Sequence, residues 1–358
     1  MPDTIVSFIP GPAHVRRPVL DAMAVPPLPH RSPEMRAVVR RVQAGLAEIL
    51  QTQAAVFPVL ASGTMALEAA LRGMVRSRAL VISGGAFGER LVRVCAGIGL
   101  TVEALAVPSG WPIDPEVLDR ALTAGQFDTV AIVHCETQTG ALTDLAAIGA
   151  VIRAHAGVAL IVDAIASFGG VEIPFHELAP ETVLVSVSSK ALACPPGVAI
   201  MAVSDGAAER ASAATGDGYA LRLETLVERA RNGQTPQTPS TPLLHALDAQ
   251  LPSIVAEGMP TRAARHAAMA ALVHAWAEGR FDVLAREDAR SPTVTTLENT
   301  LGVDVPALLE AVERRGFRIA NGYGELRDAT FRIGHMGDVT VAQTRGLLGA
   351  MDEALGEV

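Results

Sequence analysis

Residues 159–170 read ALIVDAIASFGG: an apolar run that stops at Asp163 and turns into small residues and glycine. A second run, VLVSVSSKALACPPG (183–197), does the same and delivers Lys190 just past its end. Strands covered by helices on both faces read as continuous Val/Ile/Leu runs, without alternation. Outward from this pair the pattern recurs at AVFPVLAS (55–62), ALVISGG (79–85), TVAIVHCE (129–136) and AIMAVSD (199–205), with amphipathic stretches such as 86–99 and 144–155 between runs. The alternation predicts an α/β fold with a mostly parallel sheet, whose ligands gather at the carboxyl ends of the strands.

The flanks are different in character. FIPGPAHV (8–15) is a Pro/Gly turn, expected as extended backbone near a cleft. Residues 33–50 carry helical periodicity, and 205–231 read as helical and charged. NGQTPQTPSTP (232–242) reads as a loop, 243–278 as one long Ala-rich helix, and 279–358 as a smaller α+β unit. The expected organisation is a segment 1–20 serving the cleft and the small domain, a large domain 21–242, and a linking helix with the small C-terminal domain, 243–358.

Composition excludes several classes. At 49% hydrophobic and 19% charged the chain is globular and not disordered. A net charge of −9 opposes binding to a phosphate backbone, so no nucleic-acid partner is expected. No apolar run reaches the roughly 18 residues of a membrane helix. MPDTIVSFIPGP lacks a basic region followed by an apolar stretch. With Cys95, Cys135 and Cys194 odd in number and not in metal-ligand spacing, the expectation is a cytoplasmic protein with free thiols and no metal.

Of the 29 basic residues, 28 are arginine and Lys190 is the only lysine. An ε-amine can lose its proton, attack a carbonyl and form a Schiff base; a guanidinium cannot. Other strand ends offer further groups. Ser62-Gly63-Thr64 lie between a strand and a helix, where unpaired N–H groups suit a phosphate, or an ordinary N-cap. Phe87 follows the strand ending ALVIS and suits either stacking on a flat ring or core packing. Asp163 either partners a ring cation or makes a structural ion pair. A lysine, a carboxylate 27 residues before it and an anion cradle together suit pyridoxal 5'-phosphate, which needs all three.

The chain resembles class V pyridoxal-phosphate aminotransferases of fold type I almost end to end. The resemblance is carried by PGPAHV, HRSPEM, ASGTMALEAAL, GGAFGERL, VHCETQTGAL, VDAIASFGG, SSKALACPPGVAI and FRIGHMGD in that order. It implies that Lys190 is the catalytic Schiff-base lysine and Asp163 the partner of the pyridine nitrogen. It places Ser62, Gly63, Thr64 and Ser189 on the phosphate, Phe87 and Ile165 on the two ring faces, and Thr137 at the ring oxygen. Arg332 would bind the substrate carboxylate as a bidentate fork. Thr235 and Thr238 fall in a loop that reaches the neighbouring subunit's phosphate, so a homodimer with shared sites is implied. Ser189 stands where many relatives have Gln. His335, three residues after Arg332, either supports the structure or touches substrate.

The function implied is ping-pong transamination from a small amino acid of the alanine or serine type to glyoxylate or pyruvate. HCETQTG and VDAIASFGG also look like 2-aminoethylphosphonate–pyruvate transaminases, and pyridoxamine–pyruvate transaminase shares DA-x-xSFGG, PPG and RIGHMG. A lyase or desulfurase on the same fold lacks support from any cysteine in a late mobile loop. A non-catalytic relative is disfavoured by the presence of Lys190, Asp163 and Arg332.

Overall fold

Six of the apolar runs form strands, and a seventh strand joins them. A computed structural model describes residues 5–215 and 218–357; residues 1–4 of the N-terminal segment, 216–217 of the charged stretch and 358 lie outside the described residues. The strands are β1 (Ala55–Val59), β2 (Arg78–Ser83), β3 (Thr101–Ala106), β4 (Thr129–Val133), β5 (Ala159–Asp163), β6 (Thr182–Val187) and β7 (Ala199–Val203). They lie in the order β1-β7-β6-β5-β4-β2-β3. All neighbouring pairs are parallel except those of β7, which runs antiparallel to both β6 and β1. β4 and β5 are buried along their whole length, as their uninterrupted apolar composition requires. Two apolar layers, one on each face of the sheet, cover it.

Three sequence expectations need correction. β3, TVEALA, is absent from the predicted strands because it is an edge strand with exposed and half-buried residues, so no apolar run marks it. The helix expected over 243–278 is two helices, α1 (Thr241–Glu257) and α2 (Met259–Ala277). Gly258 separates them at φ +74°, a left-handed conformation that glycine adopts without strain. The charged stretch 205–231 likewise divides into helices Asp205–Ser212 and Leu223–Arg231.

Beyond α2, a four-stranded antiparallel sheet is built from Asp282–Val283, Thr295–Glu298, Thr330–Ile333 and Ala320–Asn321 in that order. Helices Val305–Arg314 and Val341–Leu355 help bury its apolar face. Phe8 belongs to this second core, and Val6–Ser7 pairs in parallel with Phe317–Arg318. The first residues after position 4 thus join the C-terminal unit, while the turn that follows crosses to Lys190. Ala13 N–H donates to the Ser189 carbonyl at 2.8 Å, and the Lys190 ammonium donates to the Pro10 carbonyl.

Arg262, on α2, ties these parts together. Its side chain is 1% exposed. It donates to the carbonyls of Gly169 and Ala191, each at 2.7 Å, and pairs with Glu257 at 2.7 Å and Asp338 at 3.2 Å. Gly169 lies in the loop after Asp163 and Ala191 follows Lys190, so one buried cation pins both loops to the linking helix. A buried guanidinium is tolerated only when its donors are satisfied in this way.

Candidate active site

Parallel pairing brings the polar residues at the strand ends together. Val133 pairs with Asp163, and Asp163 with Val185, so β4, β5 and β6 end side by side. Asp163 is 4% exposed and accepts the Ile165 N–H at 2.9 Å. Burial raises its carboxyl from 3.8 to about 7; the Ile165 N–H opposes the rise, nearby Glu136 adds to it, and Lys190 and Arg90 oppose it. Burial lowers the Lys190 ammonium from 10.5 to about 8, and Arg332 acts in the same direction.

Two glycines make room for these groups. A methyl group at Gly11 would lie 2.4–2.6 Å from the Lys190 side chain. A methyl at Gly63 would lie 2.4 Å from Ile165 Cδ1, so Ile165 packs directly on the start of the helix Gly63–Met74. Ser62 caps that helix, its hydroxyl oxygen accepting the Met65 N–H at 3.2 Å, which leaves its own proton to donate. By position, the N–H groups of Gly63 and Thr64 have no carbonyl within the helix. The site therefore fits pyridoxal phosphate: amine, buried carboxylate and anion-binding helix start lie around one set of strand ends.

Ser189 and Thr137 are buried beside these groups. Arg332 donates from Nε to the Asn321 carbonyl at 2.9 Å and from Nη1 to the Thr137 carbonyl at 3.3 Å. The arginine of the small sheet is thereby fastened to the loop after β4. Thr235 bonds the Gln237 carbonyl at 2.8 Å and lines a small cavity beside Pro58–Leu60, the approach to Ser62; Thr238 is exposed. His335 is buried, with Nδ1 2.8 Å from the Pro292 carbonyl and Nε2 2.8 Å from Thr295 Oγ1. Both ring nitrogens are engaged by the small-sheet region, which gives His335 a structural role. Cys95, Cys135 and Cys194 are free and buried.

Sequence reasoning missed a second layer around these groups. Glu136, 5% exposed, accepts the N–H groups of Phe87 at 3.0 Å, Gly88 at 3.3 Å and Gln138 at 3.0 Å. Gln138 accepts the Ala86 N–H at 2.8 Å and donates to the Tyr323 carbonyl at 3.0 Å. The Phe87 ring stacks on Tyr323 with centroids 5.4 Å apart and planes at 21°. Arg90 lies 4.8 Å from the Phe87 centroid and donates to the Tyr323 hydroxyl at 2.7 Å, while Arg332 sits 5.5 Å from the Tyr323 centroid. The signal for Glu136 and Gln138 was present in ETQTG directly after an apolar strand. Tyr323 lies in a loop with no marking pattern.

Among the described residues, no helix is long and apolar enough to cross a membrane, and no His/Cys/Asp/Glu group has metal-ligand geometry. A family profile described as "Aminotransferase class-V" matches residues 23–322. The soluble hydrogenase small subunit of Synechococcus sp. strain PCC 6716 is 32% identical over all of this chain and 94% of its own length. The L-aspartate–glyoxylate aminotransferase of Paracoccus denitrificans is 30% identical over 94% of this chain and 87% of its own. Among solved structures, an alanine–glyoxylate aminotransferase from Nostoc sp. superposes with a TM-score of 0.92 at 28% identity, covering 99% of this chain and 96% of that one.

Proposed function

The chain belongs to the class V aminotransferases, and on that premise we propose that it moves an amino group from a small amino acid of the alanine or serine type to glyoxylate or pyruvate. The observation that carries this reading is the meeting of three groups: Lys190 with its lowered proton affinity, Asp163 at the next strand end, and Arg332 close enough to act on Lys190. The names of the Paracoccus and Nostoc relatives support glyoxylate as acceptor.

Pyridoxal phosphate, when bound, supplies an electron sink that stabilises the charge left when a proton leaves Cα. Ser62, Gly63 and Thr64 would hold its phosphate, with Ser189 as a further contact. Asp163 would hold a proton at the ring nitrogen, and Ile165 would bound one ring face. Lys190 would hold the cofactor's aldehyde through Nζ, and its amine is the group placed to take a proton from the donor's Cα. A lysine near 8 has a much larger neutral fraction at physiological pH than one near 10.5, which suits it to this exchange. Arg332 binds and orients the substrate carboxylate. The two half-reactions run on the same residues in opposite directions, which is the ping-pong scheme.

We further propose a homodimer in which the loop carrying Thr235 and Thr238 reaches the neighbouring subunit's phosphate; the exposure of Thr238 supports this. A steady-state donor panel with glyoxylate and pyruvate as acceptors tests the substrate assignment. Turnover of alanine or serine is expected. Turnover of 2-aminoethylphosphonate without either amino acid would replace this reading with the phosphonate one.

A further inference from the structure

Tyr323 is held from several sides. Gln138 holds its carbonyl, Arg90 its hydroxyl, Phe87 its ring face, and Arg332 approaches the same ring. A side chain fixed this way is a wall and not a mobile flap. Behind it lies a cavity of about 830 Å³ whose lining includes Gly85, Glu89, Arg93, Gln138, Tyr323 and Glu325. Phe87, Arg332 and Lys190 do not appear among the described residues that line it. Tyr323 and Gln138 therefore stand between the carboxylate arginine and a space large enough for a much longer substrate.

We propose that the Tyr323 ring sets the size limit on the amino donor by closing the Arg332 side of the active site off from this cavity. The inference rests on the transaminase reading and on Arg332 as the carboxylate anchor. A donor held there by its carboxylate must present Cα–H to Lys190, and the tyrosine ring bounds the space beside that carboxylate. On this proposal alanine and serine react, and longer unbranched side chains are turned away. The ring, and not the hydroxyl, does the excluding, because the hydroxyl is already engaged by Arg90.

The test uses the cofactor-loaded enzyme with alanine, 2-aminobutyrate, norvaline and norleucine, following the absorbance of the lysine-bound cofactor in single half-reactions. In the natural protein the rate constant should fall about tenfold or more for each early methylene, the usual discrimination of an apolar wall. Tyr323→Ala should flatten the series to less than about threefold per methylene, each rate taken relative to that variant's own alanine rate. Tyr323→Phe should keep the steep series.

A second measurement needs no turnover: the Kd of acetate, propionate, butyrate and valerate, read from the same absorbance, should rise with length in the natural protein and not in Tyr323→Ala. Should Tyr323→Ala fail to fold, Tyr323→Leu serves, with an intermediate slope expected. An equally steep series in Tyr323→Ala or Tyr323→Leu, a flat series in the natural protein, or a flat series in Tyr323→Phe would overturn the proposal while leaving the transaminase reading intact. No reaction of the natural protein with any donor would overturn that reading, and this proposal with it.

Discussion

Asp163 and Lys190 stand at the ends of two adjacent parallel strands, Asp163 opposite Val185 in the register and Lys190 five residues beyond that partner. Burial makes the acid harder to ionise and the amine easier to neutralise, and each charge opposes the shift of the other. Two groups displaced toward neutrality in one place are the kind of pair that clusters at functional sites.

The lysine comes first. Lys190→Arg keeps a cation in place but cannot form the covalent link to the cofactor or pass a proton. The variant should show no absorbance from lysine-bound cofactor. Turnover should fall by at least about 10²–10⁴-fold, the range of an acid–base group alone. Spectra and steady-state rates on the purified variant check both.

The proton affinity of Lys190 sets a pH profile in the apoprotein. The rate of pyridoxal phosphate uptake should rise with pH and level off above about 8, where a lysine at its ordinary value would still be climbing. Arg332→Ala removes a cation that lowers the amine's proton affinity, so its plateau should move to higher pH. Stopped-flow uptake across pH 6–10 checks it; identical plateaus in the two proteins would contradict the electrostatic assignment.

Asp163 makes a stability prediction with a definite sign. Its folded value, about 7, lies above the ordinary 3.8, so its contribution to stability is full below about 4 and is lost as pH rises through about 7. Relative to Asp163→Asn, the apoprotein should lose on the order of 4 kcal/mol between those limits. Loading with cofactor, which gives the carboxylate a partner, should shrink that difference. Denaturant titrations of both proteins at pH 4 and 7.5 measure it.

Arg262 tests the scaffold behind the site. Arg262→Met leaves the carbonyls of Gly169 and Ala191 without their donor and removes one partner from each of Glu257 and Asp338. Breaking a buried pair from one side should destabilise by about 3–5 kcal/mol. Thermal or urea unfolding of the loaded protein reads this directly.

How much of this was legible in sequence follows from burial. β5 and β6 are almost wholly buried, so their apolar runs announced them, and the polar residues at their ends stood out by contrast. β3 is exposed at the sheet edge and left no run. The Gly258 break was invisible because alanine-rich periodicity continues on both sides of one glycine. Lys190 stands out in the sequence as the only lysine and Asp163 as a carboxylate closing a buried strand, whereas Arg332, one of 28 arginines, is marked only by the resemblance that FRIGHMGD carries. Arg90 and Tyr323 carry no local mark because their contact spans 233 residues, while Glu136 and Gln138 stand in ETQTG but the N–H groups they hold, on Phe87 and Ala86, lie 49 and 52 residues away.

Amino transfer from a small amino acid is read most directly in a single half-reaction: mix the cofactor-loaded protein with alanine or serine in the absence of any acceptor and follow the spectrum. Stoichiometric loss of the lysine-bound absorbance, release of one equivalent of oxo acid, and recovery of the original spectrum on addition of glyoxylate or pyruvate are expected. A spectrum that does not change with either amino acid, or oxo acid formed without retention of the amino group on the cofactor, would contradict that transfer.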